Sequence, residues 1–256
     1  MYSSIETDVS WHYLKTLLKS IPQPHCLIGG WSVYLIVNDL YQKDTGREYQ
    51  GSRDIDLGFH FDPEWDQKQF DNSTFARAVF KIREMGFESV AYRFLKRFRL
   101  SDGQELTTEQ SRHLQPYDMF NLYIDVFVDS DDPKRIKMSK FPVAEELLLA
   151  RVFSGHQHLT KKVDELEVMV PDPRVQMEMK IRSFPERTDD DKRRKDLLDL
   201  CALILYSGPK PPTTNGPAQP NYKLALKNVT EAEWKAISED LNLTVIEAKR
   251  VANQVG

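Results

Sequence analysis

The chain is poor in the residues and segments that mark several protein classes. It has two cysteines, Cys26 and Cys201, which lie far apart and in no metal-ligand spacing. A disulfide framework is therefore not supported, and a reducing compartment is the default. No apolar run approaches the roughly 20 residues that cross a bilayer. The N-terminal MYSSIETDVSW has no signal-peptide pattern. We expect a cytoplasmic protein without a membrane partner.

The chain also lacks a strong excess of charge of one sign. Its formal net charge is −4, with 40% hydrophobic and 29% charged residues, which is an ordinary globular composition. Wholesale disorder, collagen and mucin are excluded on this ground. The charge argues against a protein that coats nucleic acid nonspecifically, and it leaves room for a local basic groove. At about 150 residues per domain, the 256 residues give one large domain or two smaller ones.

The hydrophobic patterning predicts an α+β fold, with a mixed sheet flanked by helices and followed by a helical C-terminal half. Helical spacing is present at residues 8–20 and 73–85, and strand patterns occur in HCLIGG, RDIDLGFHF, ESVAYRFLKRFRL and YDMFNLYIDVFV. The strand signals fade after about residue 140. We therefore predict a mixed-sheet domain at residues 1–140, a helical domain at 141–206, a Pro/Gly-rich linker at 207–220 and a small helical tail at 221–256.

Three acidic residues carry the sharpest chemical signal. Asp54 and Asp56 are two apart in a strand, so their carboxylates share a face and are about 6.6 Å apart by rise. Such a pair is costly to bury without a cation. It can converge on one Mg²⁺, or on two ions about 3.5–4 Å apart. Asp125 lies in the apolar strand LYIDVFV and needs a metal, a cationic partner or an exposed edge.

Gly29 and Gly30 stand between a short strand and a helix-length apolar stretch. Glycine lets a ligand approach the backbone closely, and a helix N-terminus offers free N–H groups, so this order is a phosphate-binding geometry. Taken singly, each feature has a plainer interpretation: a solvated acid pair, a strand-end cap and an ordinary turn. Together, the glycine turn, the acid pair and the later aspartate follow the order that a metal-dependent nucleotidyl transfer site requires.

The segments LIGGWSVYLIV, GSRDIDLGF and YIDVFV together resemble the nucleotidyltransferase superfamily that includes DNA polymerase beta. Within it, the chain is similar to the AbiEii-type nucleotidyltransferases, whose Ser/Thr-x-Asp-h-Asp strand matches residues 52–56. MKIRSFPERTDDDKRRKDLLDLCAL is similar to the helical Lys, Arg, Lys-Asp-x-x-Asp-Leu pattern of that family. The resemblance covers residues 25–205. Gln50 stands where the family often carries arginine, and Arg47 and Arg53 are the candidates to substitute for it.

The resemblance implies catalytic, metal and substrate roles. Asp54 and Asp56 would hold Mg²⁺ bound to a nucleoside triphosphate such as ATP. Asp125 would complete a second metal site and help to deprotonate the attacking hydroxyl. The backbone at Gly29 and Gly30, together with Ser32, would hold the β- and γ-phosphates.

The resemblance extends to basic residues of the second half. Lys180 could reach the triphosphate, and Arg187 and Lys195 are secondary candidates. For Lys195 we favour a solvated helix charge, and we expect Asp196 and Asp199 to cap or to pair with the basic run at residues 192–194. The row Arg93, Arg97 and Arg99 either binds an acceptor nucleic acid or forms the wet face of the sheet, and we weigh the two equally.

The leading hypothesis is a Mg²⁺-dependent nucleotidyltransferase whose acceptor is RNA, a protein or a small molecule, and which could belong to a toxin–antitoxin pair with a protein partner. One alternative is a catalytically silent nucleotide- or partner-binding module with the same fold. A second is a DxD glycosyltransferase. Its nucleotide-binding βαβ region should precede the acid pair, and only one short strand does, which argues against this class. A phosphatase with a nucleophilic aspartate is disfavoured, because Leu57 and Gly58 follow the pair.

Overall fold

A computed structural model describes residues 2–211 and 218–255 of the chain, which form two compact units. The first, here called the sheet unit, is Tyr2–Trp31 and Gly51–Pro171. The second, the helical unit, is Ser32–Gln50 together with the described residues from Asp172 onward. Each unit is described by itself. No helix among the described residues is both long and apolar enough to cross a membrane.

The described strands belong to one mixed sheet, which lies in the sheet unit. In chain order they are β1 Cys26–Ile28, β2 Ile55–Phe59, β3 Glu88–Val90, β4 Arg93–Arg99, β5 Glu105–Leu106, β6 Met119–Val128, β7 Ala144–Glu145, β8 His158–Val163 and β9 Leu166–Pro171. The order across the sheet is β3-β4-β6-β2-β1-β9-β8, with β5 beside β4 and β7 beside β6. Strands β2 and β6 are parallel, whereas β1 with β2 and β4 with β6 are antiparallel.

Helices flank the sheet within the sheet unit, and others make up most of the helical unit. They are α1 Ser4–Ser20, α2 Gly29–Thr45, α3 Gln67–Asp71, α4 Thr74–Glu84, α5 Thr108–Arg112, α6 Pro133–Met138, α7 Leu149–Phe153, α8 Pro173–Ser183, α9 Asp190–Tyr206, α10 Ala218–Lys227, α11 Glu231–Asp240 and α12 Val245–Ala252. Short 3-10 turns occur at Pro116–Asp118 and Phe184–Glu186. The predicted fold class, a mixed sheet flanked by helices, is confirmed.

The core of the sheet unit follows from the two-residue period of its strands. Ile55, Leu57 and Phe59 alternate with Asp56 along β2, and all three apolar side chains are fully buried. Helix α4 covers this face, with the Phe75 ring 5.6 Å from the Phe59 ring in an edge arrangement. Full burial of such a side chain contributes roughly 1.5–3 kcal/mol. The apolar face therefore fixes the register and leaves the acidic side chains on the opposite face.

The expectation that strand signals fade after residue 140 is wrong. Strands β8 and β9 form a hairpin at 158–171, and β9 joins the central sheet beside β1 in parallel. Val168 and Val170 of β9 are fully buried. The apolar alternation of this strand is short, and charged residues surround it, which is why the pattern was not recognised. The stretch VAEELLLARVFSG, predicted to be helical, contributes β7 before the helix α7 begins.

Several predicted helices agree with the structure. Helix α4 ends before Gly86, whose φ of +80° is a conformation that favours glycine. The tail forms α11 and α12, each opened by a capping box that joins Thr230 to Glu233 and Thr244 to Glu247. The predicted linker at 207–220 includes residues 212–217, which lie outside the described residues. Its end is helical, because α10 begins at Ala218.

Candidate functional site

The sheet register brings two of the three predicted acidic residues side by side. Asp56 on β2 and Asp125 on β6 are direct partners across the parallel pair. Directly paired residues point to the same face of a sheet, so the two carboxylates share the face opposite the apolar core. Asp54 lies two residues before Asp56, just ahead of β2, and is 8% exposed. Asp56 and Asp125 therefore share one sheet face, and Asp54 adjoins them at the start of β2.

Gly29 adjoins Asp56 because Ile28, the last residue of β1, pairs with Asp56 across the antiparallel strands. Gly29 has a φ of +68°, and a Cβ atom built on it would lie 1.9 Å from the Asp56 Oδ2 atom. An alanine at this position would therefore overlap the carboxylate as well as strain the backbone. The absence of a side chain at Gly29 allows the first residue of α2 to pack directly against Asp56.

Asp125 is bound by an arginine of the neighbouring strand. Arg93 on β4 is its cross-strand partner. The guanidinium donates from Nε to Oδ1 at 2.9 Å and from Nη2 to Oδ2 at 2.5 Å. Asp125 is buried, with an exposed fraction of 5%. A bidentate arginine–carboxylate pair is among the strongest side-chain interactions. Of the three options for Asp125, a metal, a cationic partner or an exposed edge, the structure shows the cationic partner.

Asp54 has an arginine neighbour as well. The Arg53 Nε atom lies 3.5 Å from Asp54 Oδ1, and its Nη1 atom lies 3.4 Å from Glu6 Oε1. Arg53 also lies over the Tyr2 ring, 4.9 Å from the centroid. Of the two arginines proposed to substitute for Gln50, Arg53 thus contacts an acidic residue of the site. The other, Arg47, donates to main-chain carbonyls at the end of α11 in the helical unit.

The donor set suits Mg²⁺ only in part. Carboxylate oxygens are the ligands that this hard cation prefers, and Asp54 and Asp56 supply them at the start of β2. Both oxygens of Asp125 already accept from Arg93. Within residues 2–211 and 218–255, no group of three or more His, Cys, Asp or Glu side chains is arranged to hold a metal ion. The residues therefore fit one ion on Asp54 and Asp56 better than two ions on all three aspartates.

Lys180 lies in the helical unit at the centre of a buried charge cluster. Its Nζ atom lies 2.6 Å from Asp196 Oδ1 and 2.7 Å from Asp199 Oδ2. Lys195 pairs with the other oxygen of Asp199, which also accepts a hydrogen bond of 2.8 Å from the Tyr49 hydroxyl. Lys195 is 9% exposed, so the interpretation of this residue as a solvated helix charge is wrong.

Arg187 belongs to the same cluster and donates from Nε to Asp196 Oδ2 at 2.7 Å. Asp196 and Asp199 thus bind cations from α8, from the turn before α9 and from α9 itself, which the sequence analysis did not anticipate. Burial alone would raise the pKa of Asp196, but Lys180 and Arg187 overcome this and lower it to about 2. The two carboxylates likewise raise the pKa of Lys180 against its burial, whereas burial lowers the pKa of Lys195.

Ser32, the third residue of the predicted phosphate turn, lies in the first turn of α2 and is fully buried. Its Oγ atom has no hydrogen-bond partner within the part of the chain that the structure describes. A buried hydroxyl without a partner is costly. The Ser32 hydroxyl therefore keeps a free donor and acceptor at the start of this helix.

The arginine row on β4 shares the acidic face, because Arg93 pairs with Asp125 across the strands and the row alternates with the buried Phe94 and Phe98. Arg97 pairs with Glu88 at 2.9 Å, and Arg99 pairs with Asp102 at 3.0 Å. Both carboxylates are about half exposed. With Arg93 engaged by Asp125, every arginine of the row has an acidic partner. This pairing favours the interpretation of the row as a solvent-exposed sheet face over its interpretation as a binding surface for an acceptor nucleic acid.

The sequence analysis missed a histidine–aspartate pair that follows the acidic strands. His60 comes directly after β2, and Asp129 directly after β6, which are parallel neighbours. The His60 Nδ1 atom lies 2.5 Å from Asp129 Oδ2, and Asp129 Oδ1 accepts a hydrogen bond of 2.8 Å from the Phe61 amide. The hydrogen bond to Asp129 raises the pKa of His60 against the opposing effect of burial. The sequence signal for this pair is that His60 and Asp129 each directly follow an apolar strand, at equivalent positions of β2 and β6.

This pair predicts a pH dependence of stability. Because the pKa of His60 is raised in the folded state, its contribution is fully present below the unfolded value of about 6.5 and is lost as the pH rises through the folded pKa. We expect the free energy of unfolding of wild type to fall across this window relative to that of His60→Gln. Urea unfolding at a series of pH values measures the difference. A pH-independent difference between the two proteins would contradict this assignment.

Comparisons with known proteins place the chain only loosely. No family model matches it, and no curated protein matches it. One solved structure to which it is similar is the crystal structure of an antigenic nucleotidyltransferase-like protein from Paracoccidioides brasiliensis. The identity is 17%, the similarity covers 94% of this chain and 93% of that chain, and the TM-score is 0.39. Because the TM-score is below 0.5, we rest no conclusion on this likeness.

Proposed function

We propose that the protein is a Mg²⁺-dependent nucleotidyltransferase that transfers a nucleoside monophosphate from a nucleoside triphosphate, such as ATP, to an acceptor hydroxyl. The observation that carries the proposal is the position of Asp56. Its carboxylate lies against Gly29 at the start of α2 and beside Asp125 in the sheet register. An acidic metal ligand thus adjoins a helix N-terminus that can receive phosphate.

The chain supplies two kinds of groups for this chemistry. Asp54 and Asp56 would hold the cation, and the backbone N–H groups at Gly29 and Gly30 would receive phosphate oxygens close to it, because the Asp56 carboxylate lies directly against Gly29. When bound, Mg²⁺ neutralises the charge that develops on the triphosphate. The chain's own contribution is to position the donors before the reaction starts, which is the larger part of catalysis in phosphoryl transfer.

The remaining predicted substrate residues have supporting observations of their own. Ser32 follows the glycines by one helical turn and is buried without a described partner, so its hydroxyl is suited to a phosphate oxygen. Arg187 has a side chain that is 41% exposed, which would allow it to reach an anion. Lys180 is held between two carboxylates, and its contact with the triphosphate stays a prediction. Arg187 and Lys180 belong to the helical unit.

A catalytically silent binding module is the second candidate function, and the two arginines favour it. Arg53 and Arg93 already pair with Asp54 and Asp125, so two of the three carboxylates have a cationic partner without a metal. In that case the same face would bind a nucleotide or a protein partner, such as the other half of a toxin–antitoxin pair, without turnover. No observation of the structure favours the DxD glycosyltransferase.

The test is transfer of label from α-phosphate-labelled ATP, GTP, CTP and UTP in the presence of Mg²⁺. RNA, protein and small-molecule hydroxyl fractions serve as separate acceptors. We expect one nucleotide to label one class of acceptor, with release of pyrophosphate. Binding of a nonhydrolysable nucleotide without any transfer would favour the silent module, and the absence of both would reject the nucleotide site.

A further inference from the structure

Arg93 is a cation of the acidic face whose pairing with Asp125 the proposed reaction leaves unexplained. It lies opposite Asp125 in the antiparallel register of β4 and β6. Its fork binds Oδ1 at 2.9 Å and Oδ2 at 2.5 Å. Each oxygen of the carboxylate therefore accepts a charge-assisted hydrogen bond in the planar geometry that only arginine offers. Asp125 would have to give up this fork before it could bind a metal ion through the same lone pairs.

Aromatic rings hold the guanidinium in place from a second direction. The Arg93 Cζ atom lies 4.3 Å from the centroid of Tyr123 and 5.2 Å from that of Tyr92. Tyr123 is two residues before Asp125 on β6, so both project to the same face of the sheet. Carboxylate and rings together bind the edge and the face of the guanidinium, and cation–π contacts strengthen as water is excluded. Release of Arg93 would cost both interactions.

The two other arginines of β4 provide an internal comparison. Arg97 and Arg99 bind carboxylates whose side chains are each 48% exposed, whereas the Asp125 side chain is 8% exposed. Exposed ion pairs contribute little and exchange easily with water. A buried carboxylate that loses its cation is left uncompensated and is strongly destabilised. Among these three pairs, therefore, only the one with Asp125 is buried and costly to break.

We propose that Arg93 is the permanent counter-ion of Asp125, and that the acidic face therefore binds a single divalent ion, on Asp54 and Asp56. Asp125 is then a positioning residue that fixes Arg93, and it is not a metal ligand. This differs from the second metal site implied by the family resemblance. The inference rests on the proposed function in one respect, the assignment of the ion to Asp54 and Asp56. It agrees with the absence, among the described residues, of a three-acid metal cluster.

The number of Mn²⁺ ions bound per chain tests this proposal, because it reads the metal site without any turnover. Mn²⁺ replaces Mg²⁺ as the probe, and the paramagnetic resonance signal of the free ion is titrated to saturation. We expect one ion per chain for wild type and for Asp125→Asn, and none for Asp54→Asn combined with Asp56→Asn. We expect Arg93→Gln to bind a second ion, because the freed Asp125 carboxylate lies beside Asp56. Arg97→Gln, on the same strand and face, is the matched control and should bind one.

The outcomes separate this inference from the proposed function. Two ions on wild type, falling to one in Asp125→Asn, would overturn the counter-ion role and leave the metal-dependent reaction standing. A single ion on Arg93→Gln would also overturn it. No ion on wild type would reject the metal site and the inference with it. If thermal unfolding shows that Arg93→Gln is not folded, the comparison of wild type with Asp125→Asn decides the question alone.

Discussion

Replacement of Asp199 by alanine is expected to lower the free energy of unfolding by about 3–5 kcal/mol. Asp199 has no exposed surface, and it binds Lys180 and Lys195 and accepts a hydrogen bond from Tyr49. Its removal leaves two buried ammonium groups and one buried carboxylate, Asp196, which binds Lys180. Removing one partner of such a network costs more than the network itself contributes, because the remaining charge cannot be solvated.

Chemical denaturation of wild type, Asp199→Ala and a control variant measures this loss of unfolding free energy. Asp190→Ala is the matched control, since it lies on the same helix with a side chain that is 86% exposed. The control should change the free energy of unfolding by less than about 1 kcal/mol, as is usual for exposed pairs. An equally small loss for Asp199→Ala would show that the cluster is not the buried network described above.

Replacement of Gly29 by alanine should weaken nucleotide binding about 100-fold. The new Cβ atom would lie 1.9 Å from Asp56 Oδ2, so the carboxylate must move. A displacement of about 1 Å in a reaction centre can cost about 100-fold in rate, and we expect a loss of affinity for a Mg²⁺-bound nonhydrolysable ATP analogue of similar size. The positive φ adds about 1–2 kcal/mol of backbone strain. Calorimetric titration and thermal unfolding measure the two effects separately.

Gly46→Ala separates backbone strain from the clash with Asp56. Gly46 has a φ of +71°, close to the +68° of Gly29, and nothing lies within 4 Å of a Cβ atom built on it. Both variants should therefore lose similar stability from the strained φ, while only Gly29→Ala loses nucleotide affinity. Unchanged affinity in Gly29→Ala would remove the glycine turn from the proposed site.

The sequence predicted the acidic face because its signals are local. Alternation along RDIDLGF and LYIDVFV places Asp56 and Asp125 on the polar faces of two strands, and the flanking apolar residues define the opposite face as the core. Helix α4 and the two tail helices were predictable for the same reason, since their spacing and capping residues lie within one segment. The assigned roles of the acidic residues stay predictions.

The pairing of these charges could not be predicted from the sequence alone. Arg93 was recognised as part of a basic row, but its contact with Asp125 depends on the register between β4 and β6. The burial of Lys195 depends on Tyr49, which is distant in sequence. The hairpin at 158–171 was not predicted. Lys161 and Lys162 on its edge strand β8 make the segment look polar, although Val168 and Val170 alternate as buried residues on β9. For Arg93 and Lys195, a long-range contact determines the environment of the charged residue.

The most direct test of the central claim is the label-transfer assay applied to Asp56→Asn, with wild type and Asp71→Asn beside it. Asp71 is an exposed aspartate of the same unit, with a side chain that is 51% exposed and a loose ion pair to Lys140. We predict Mg²⁺-dependent labelling of an acceptor by wild type and by Asp71→Asn, and none by Asp56→Asn. Transfer that survives in Asp56→Asn would contradict a reaction centred on this carboxylate.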